Sequence, residues 1–267
     1  MLSLRQLYYR FVAADLIPNS QAEYKKLGTI ISDGRLAGLI DWDAIEDRGR
    51  HLISPQTWRG PSHIINAVAH SYAIDLWEGQ RHRVEVWVEK EALIGVISQA
   101  ANTLQVPSFA CKGYTSQSEM WRAGRRFKFY RANGQQPVVI HLGDHDPSGI
   151  DMSRDITDRL TLFAEHDVKV ERIALNMAQV QLYDPPPNPA KLKDTRAPDY
   201  IVKYGTDSWE LDALEPSVLD ALIRDTIRKY RESLLYNSRL REQEREKESL
   251  QKLADNWEEV ALFVEEL

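Results

Sequence analysis

The chain has a single cysteine, Cys111, in 267 residues. That excludes a disulfide framework and a Cys-rich zinc site, and a reducing cytoplasm is the expected setting. It also lacks a long apolar run. The longest uncharged stretch, Gly60 to Ile74, contains His63, Asn66 and His70 and falls short of the ~20 residues that span a bilayer, so no membrane partner is expected. The start, Met-Leu-Ser-Leu-Arg, has no signal-peptide pattern. No internal repeat and no phosphate-cradling P-loop occur. An excess of positive charge is missing too, since the net charge is −6. Its distribution is uneven. Residues 1–143 carry 17 Lys+Arg against 13 Asp+Glu, or +4, and residues 144–267 carry 17 against 27, or −10. A local positive groove in the amino half is permitted, though not required.

What is present suffices for real cores: 43% of the residues are hydrophobic, and the length allows one large domain or two small ones. Residues 3–14 read as a helix capped by Ser3, with Leu4, Leu7, Tyr8, Phe11 and Val12 at helical spacing. Ser20 caps a second helix to about Ser32, Asp33-Gly34 reads as a turn, and Leu36 to Ile45 as a short extended pair or wing. Helices followed by a wing resemble a small winged helix, a fold that usually meets DNA. Pro55, Gly60 and Pro61 punctuate a linker, and Ser62 to Trp77 reads as a helix leading into the next unit.

From residue 84 strands and helices alternate: strands near 84–89, 108–112, 138–142 and 168–175, helices near 92–103, 116–131 and 148–163. Such alternation with short connections predicts a parallel sheet covered on both faces. The stretch Asp184-Pro-Pro-Pro-Asn-Pro189 is an extended connection. Trp209 to Leu214, with Glu215-Pro216, opens a long helical region whose charged run from Arg239 to Lys252 reads as a solvated face. The expected organisation is an amino-terminal helical domain with a wing over 1–60, a linker helix over 61–83, the parallel α/β sheet over 84–178 and a mostly helical extension over 179–267.

Two of these strands stop at acids. Arg83-Val-Glu-Val-Trp-Val-Glu89 ends in Glu89, and Pro137 to Asp146 ends in Asp144 and Asp146. Open α/β sheets bind ligands at the carboxyl ends of their strands. Three hard oxygen donors there suit Mg²⁺, which takes few protein carboxylates and keeps water or phosphate on its other positions. The plainer alternative is that Asp144 and Asp146 cap the helix near Ser148. His141 and His145 flank the pair. His145 alone makes a weak zinc ligand and is expected beside the site or in solvent.

Glu89-Lys90, Lys112-Gly113-Tyr114 and Asp144-His-Asp-Pro-Ser-Gly-Ile150 resemble the Toprim domain, in the form found in the A subunit of topoisomerase VI and the related meiotic double-strand-break transesterase. The resemblance covers about residues 3–178 and implies a winged helix followed by a Toprim-like sheet, with Mg²⁺ held by Glu89, Asp144 and Asp146. The family carries a DNA-cleaving tyrosine in a motif of the type Leu-Arg-x-Leu-Tyr-Tyr, and this chain has Leu4-Arg5-Gln6-Leu7-Tyr8-Tyr9. Helical phase separates the tyrosines. Tyr8 belongs to the apolar stripe, while Tyr9 sits over Arg5 on the more polar side. Tyr9 is therefore the expected nucleophile, with Arg5 stabilising the phenolate or the phosphate. Without the resemblance both tyrosines read as packing residues.

The resemblance further implies double-stranded DNA as substrate, a nucleoid setting, and a homodimer in which one subunit's tyrosine works with its partner's metal. It also implies a separate ATPase B-type subunit, since no ATPase domain is present. Lys25, Lys26 and Arg35 in the amino-terminal helices, Lys112, and Arg122, Arg125 and Arg126 in the basic aromatic stretch Trp121 to Arg131 are the candidate phosphate contacts. Such contacts position DNA without reading sequence. The alternatives from residues alone are a Toprim nuclease using water, a non-enzymatic DNA-binding protein, and a small-molecule phosphohydrolase.

Overall fold

The computed structural model describes residues 2–45, 55, 57–191 and 193–266. In chain order the helices are α1 (Leu4–Ala13), α2 (Gln21–Leu36), α3 (Pro61–Ser71), α4 (Ile94–Asn102), α5 (Gln117–Ala132), α6 (Pro147–Ala164), α7 (Met177–Tyr183), α8 (Ala197–Tyr204), α9 (Pro216–Tyr230), α10 (Ser233–Asp255) and α11 (Trp257–Glu265). The strands are β1 (His82–Val88), β2 (Ser108–Ala110), β3 (Gln136–Leu142), β4 (Lys169–Ala174), β5 (Asn188–Pro189) and β6 (Asp207–Ser208). The fold is α/β, with an all-parallel four-stranded sheet in the order β2-β1-β3-β4. β5 and β6 form a separate antiparallel pair.

The chain divides into two compact units, Met1–Arg50 with His82–Tyr230, and His51–Arg81 with Arg231–Leu267. This differs from the organisation expected from sequence. The amino-terminal helices belong with the sheet. The helix expected as a linker belongs with the carboxyl-terminal helices. An amphipathic helix shows in its sequence that it has a partner, but not which one. In the second unit α3 lies along α10, where Ser62 Oγ donates to the Ala254 carbonyl at 2.9 Å, the Ile74 amide to Gln243 Oε1 at 3.0 Å, and the Tyr72 hydroxyl to Glu246 at 2.5 Å.

In the first unit, the central strands β1 and β3 are buried on both faces, as their near-continuous Val/Ile/Leu/Trp runs require. They align from His82↔Gln136 to Val88↔Leu142, so Glu89 and Gly143 leave the sheet side by side. Trp87, Met120, Phe127, Val139, Met152, Ile156 and Leu160 form the core on one face. There α5 and α6 approach closely at Gly124, where an added Cβ would lie 2.3 Å from Phe163 Cβ and 2.7 Å from its carbonyl carbon. Since backbone cannot yield there, Gly124→Ala is expected to cost at least about 1–3 kcal/mol. The check is calorimetry, where each kcal/mol lowers the melting temperature by about 2–4 °C in a chain of this size.

The capping predictions hold at the amino terminus. Ser3 forms a reciprocal capping box with Gln6, and Ser20 caps α2. The extended pair expected over Leu36–Ile45 is absent among the described residues. Instead α2 runs through Asp33 and Gly34 to Leu36. Gly34 is tolerated because the chain folds back onto it. Its carbonyl accepts the amides of Leu39 and Ile40, and Ile40 fills the space a Cβ would need. Trp42–Ala44 then forms a 3₁₀ turn, and Ile45 makes a single bridge with Leu2. Residues 46–54 and 56 of the expected amino-terminal domain lie outside the described residues. No helix among the described residues is long and apolar enough to cross a membrane.

Candidate active site

The sheet edge predicted to carry the acids does so, with a different membership. Glu89 follows β1 and its amide donates to the Leu142 carbonyl at 2.9 Å. Its Oε2 in turn accepts the Asp144 amide at 2.9 Å, which ties together the two strand ends. Asp146 is the N-cap of α6, accepting from the Gly149 amide at 2.6 Å and from Ser148 Oγ at 2.9 Å. For Asp146 the plain capping role is thus real, while Asp144 does not cap the helix.

The segment after β6 supplies what the sequence reading did not. An antiparallel bridge between His145 and Trp209 lays Glu210-Leu211-Asp212 along the Asp144 loop, and Asp144 Oδ1 accepts the Leu211 amide at 2.8 Å. Among the described residues, Asp144, Glu210 and Asp212 form the acidic group whose ligand atoms all lie within 4.8 Å of one another. They differ from the expected trio of Glu89, Asp144 and Asp146, in which only Asp144 is shared. Asp212 is 2% exposed.

Two cations enter this triad. The Lys90 ammonium lies 2.9 Å from Asp144 Oδ2 and 3.1 Å from Asp212 Oδ1, and it also contacts Glu210. Arg5, from α1, pairs with Glu210 at 2.5 Å and with Asp212 at 2.6 Å. Burial opposes charge on both cations, but the acids outweigh it and hold them charged more firmly than usual. Burial would likewise raise Glu210, yet Lys90 and Arg5 hold it down at about 2.

Arg5 carries Tyr9 with it. The guanidinium lies 5.7 Å from the Tyr9 ring centroid, as helical phase predicted. The more polar side on which helical phase places Tyr9 is not open to solvent, for Tyr9 is 6% exposed and packs with Tyr8, Val12 and Leu27, with Ala213 alongside. The polar side of α1 is covered as well as its apolar stripe, because the ion pairs draw it onto the segment bearing Glu210 and Asp212. Burial first, then the charges of Glu210 and Asp212, push the Tyr9 phenol up to about 12. The two tyrosines remain distinct. Tyr8 donates toward Asn19 Oδ1 and the Ser20 carbonyl, both at 3.0 Å. Among the described residues, no hydrogen bond engages the Tyr9 hydroxyl.

Arg172, on β4, was not foreseen either. It donates to the carbonyls of Asp144 at 2.6 Å, Gly149 at 2.8 Å and Gly143 at 2.9 Å, so it fixes the loop that carries the acids. Gly149 must be glycine for the same loop to close, since a Cβ would lie 2.2 Å from the Asp144 carbonyl oxygen. His145 is buried rather than exposed, its Nδ1 2.8 Å from the Tyr200 hydroxyl among Tyr204 and Trp209. Burial lowers its pKa to about 4, and that of His141 to about 3.

Several expected phosphate contacts are committed elsewhere. Arg126 makes a two-point pair with buried Glu85 at 2.6 and 2.9 Å, and Arg35 donates to the carbonyls of Trp42 and Ile45. Lys112 pairs with Glu91 at 2.7 Å, Arg122 with Glu119, and Lys26 more loosely with Glu23 at 3.7 Å. Lys25 and Arg125 have no acid partner among the described residues. Arg126 is drawn in by a buried acid, which needs a partner before solvent does, and Arg35 by the carbonyls of the turn that follows its own helix.

Burial, then Asp144 and Asp146, raises Glu89 to about 7, and burial raises Asp144 to about 6. An unfolded glutamate releases its proton near pH ~4.3. The folded form therefore keeps a proton that the unfolded form loses, and stability present below that value drains away as pH rises to about 7. The loss from Glu89 is about 4 kcal/mol, at ~1.4 kcal/mol per unit. Glu210, held low, is ionised in both states across this window and adds no slope. His141 and His145, held below their ordinary range by burial, regain stability over the same window, so the Glu89 contribution is read as a difference: metal-free Glu89→Gln is expected to gain melting temperature relative to wild type between pH 5 and pH 7.5 in thermal scans.

Comparison of the chain with family models, with curated proteins and with solved structures returned no match.

Proposed function

We propose that the protein breaks DNA strands by transesterification at this acidic edge, with Tyr9 as nucleophile and a divalent cation as cofactor. In this reading α1 and α2 are the DNA-facing part of a winged-helix-like unit, and the parallel sheet is Toprim-like. One observation carries the proposal. Arg5 and Tyr9, from the first helix, converge with Lys90 on acids that come from residues 144, 210 and 212. Packing alone gives no reason to bring a phenol and two cations to two buried carboxylates and a half-buried third, since buried charges add little to stability.

The donor set fits the cation. Asp144, Glu210 and Asp212 offer only carboxylate oxygens within one ion's reach, the ligand type that Mg²⁺ takes, and Glu89 stands beside them on the Asp144 amide. Bound there, a divalent ion would supply Lewis-acid stabilisation of the phosphoryl oxygens. The chain's own groups do the rest. Arg5 stabilises charge on the phenolate and on the phosphate. Lys90, freed from its acids, is a second donor for the phosphate oxygens. Arg172 and Gly149 keep the Asp144 loop rigid. Arg5 and Tyr9 meet acids of their own chain, whereas the resemblance implies a site shared between subunits.

A second reading has its own observation. A phenol that is 6% exposed and raised to about 12 is a poor nucleophile until α1 shifts, which favours water as the attacking group in a Toprim nuclease. The deciding experiment incubates end-labelled supercoiled or nicked DNA with protein and Mg²⁺ and then denatures the mixture. Transesterification predicts a covalent adduct that Tyr9→Phe abolishes and Tyr8→Phe retains. Cleavage without an adduct, equal in Tyr9→Phe and wild type, assigns the attack to water.

A further inference from the structure

One face of α5 is not explained by the acidic site. Met120, Ala123, Gly124 and Phe127 bury the inner face of the helix. On the outside, Trp121, Arg125 and Phe129 follow one another at four-residue spacing, which aligns them in a single stripe. Trp121 is 48% exposed and Phe129 65%. The Arg125 guanidinium lies 5.3 Å from the Trp121 ring centroid. With Lys128, Ala132, Phe163 and Glu165 these residues line a groove of about 380 Å³.

The charge of this face is unlike that of the whole chain. α5 holds Arg122, Arg125, Arg126, Lys128 and Arg131 against Glu119 alone. Arg126 and Arg122 are engaged by Glu85 and Glu119, and Lys128 reaches across to Glu165 at 2.6 Å. Arg125 and Arg131 have no acid partner among the described residues. A single exposed aromatic would need no explanation. Two on one stripe, separated by an unpaired guanidinium and floored by Phe163, form a flat apolar surface with positive charge along it. Single-stranded nucleic acid is bound by this combination, with bases stacked on aromatic rings and cations on the backbone. A duplex keeps its bases stacked on one another and offers nothing for the rings to hold.

We propose that the α5 stripe is a binding site for single-stranded nucleic acid, with bases on Trp121 and Phe129 and backbone phosphate at Arg125. From Trp121 to Phe129 the helix rises about 12 Å, room for consecutive unpaired bases. The proposal deepens the DNA-breaking reading by supplying a hold on an unpaired strand, and it rests on that reading only for its biological role.

The test is fluorescence anisotropy of a labelled oligothymidylate, without Mg²⁺, on wild type, Trp121→Ala, Phe129→Ala and Arg125→Ala, with circular dichroism as a check of fold. Each aromatic variant is expected to weaken binding about 5- to 150-fold while duplex of the same length is little affected. Arg125→Ala is expected to reduce the salt dependence. The assay contains no Mg²⁺ and reads no cleavage, so a failed cleavage assay does not touch this result. Folded aromatic variants with unchanged affinity would overturn the proposal. So would a wild type that ignores the oligonucleotide while self-associating in light scattering through Trp121 and Phe129, which would make the stripe an interface between copies.

Discussion

Replacing Lys90 by methionine is expected to destabilise the metal-free protein by about 3–5 kcal/mol, the usual cost of removing one partner from a buried charge network. The ammonium touches all three acids of the triad, and Asp144 and Asp212 are almost wholly buried. Methionine keeps the length and apolar body of the side chain but leaves Glu210 and Asp212 with Arg5 alone, and the Asp144 carboxylate with no cation among the described residues. They must then repel one another or take up protons. A divalent cation can replace the lost charge. Thermal scans in chelator and in Mg²⁺ or Mn²⁺ should therefore show a larger metal-induced rise in melting temperature for Lys90→Met than for wild type. In wild type the ion must first displace the ammonium, which weakens its binding, and stabilisation follows occupancy. A variant equally destabilised with and without metal would mean that the acids form a purely internal salt-bridge network.

The second large effect concerns cleavage. Asp144→Ala is expected to reduce strand breakage at least about 10²- to 10³-fold, the usual loss when a preorganised electrostatic group is removed at a reacting centre. Asp144 is the one acid that belongs both to the triad and to the pair with Glu89. It also anchors the Glu210–Asp212 segment through the Leu211 amide. Asp144→Asn separates the two roles, because its side-chain oxygen can still accept that amide. Gel-based cleavage kinetics should place Asp144→Asn near Asp144→Ala in rate, and calorimetry should place it nearer wild type in stability. If Asp144→Asn cleaves like wild type, the carboxylate charge has no part in the reaction.

Much of this site was legible in particular residues. The runs ending at Glu89 and Asp144 announce buried parallel strands, because apolar residues dominate them, with Glu85 the one acid inside β1, and they stop at polar residues before helices. Register then brings their ends together without further information. Helical phase placed Arg5 over Tyr9 correctly. The same phase misjudged the burial of Tyr9, since a helical wheel describes one helix and cannot know that ion pairs will draw its polar side onto another segment. Glu210 and Asp212 escaped for a related reason. Trp209 joins the edge through one isolated bridge to His145, too short to show any periodicity, after a proline-rich connection that hides its direction. The alternation Glu210-Leu211-Asp212, two acids on one side of a buried leucine, was the available signal. The wing expected over Leu36–Ile45 was misread from Asp33-Gly34. That pair marks a turn in isolation, but here Ile40 packs over Gly34 and keeps the helix running.

The central claim is that Tyr9 attacks a DNA phosphate at the acids of residues 144, 210 and 212. Its most direct test is mass spectrometry of the protein after reaction with DNA and Mg²⁺, denaturation and digestion of both polymers. The account predicts a nucleotide linked to the peptide that carries Tyr9, and no such peptide from Asp144→Ala. Cleaved DNA recovered with every tyrosine unmodified would contradict it.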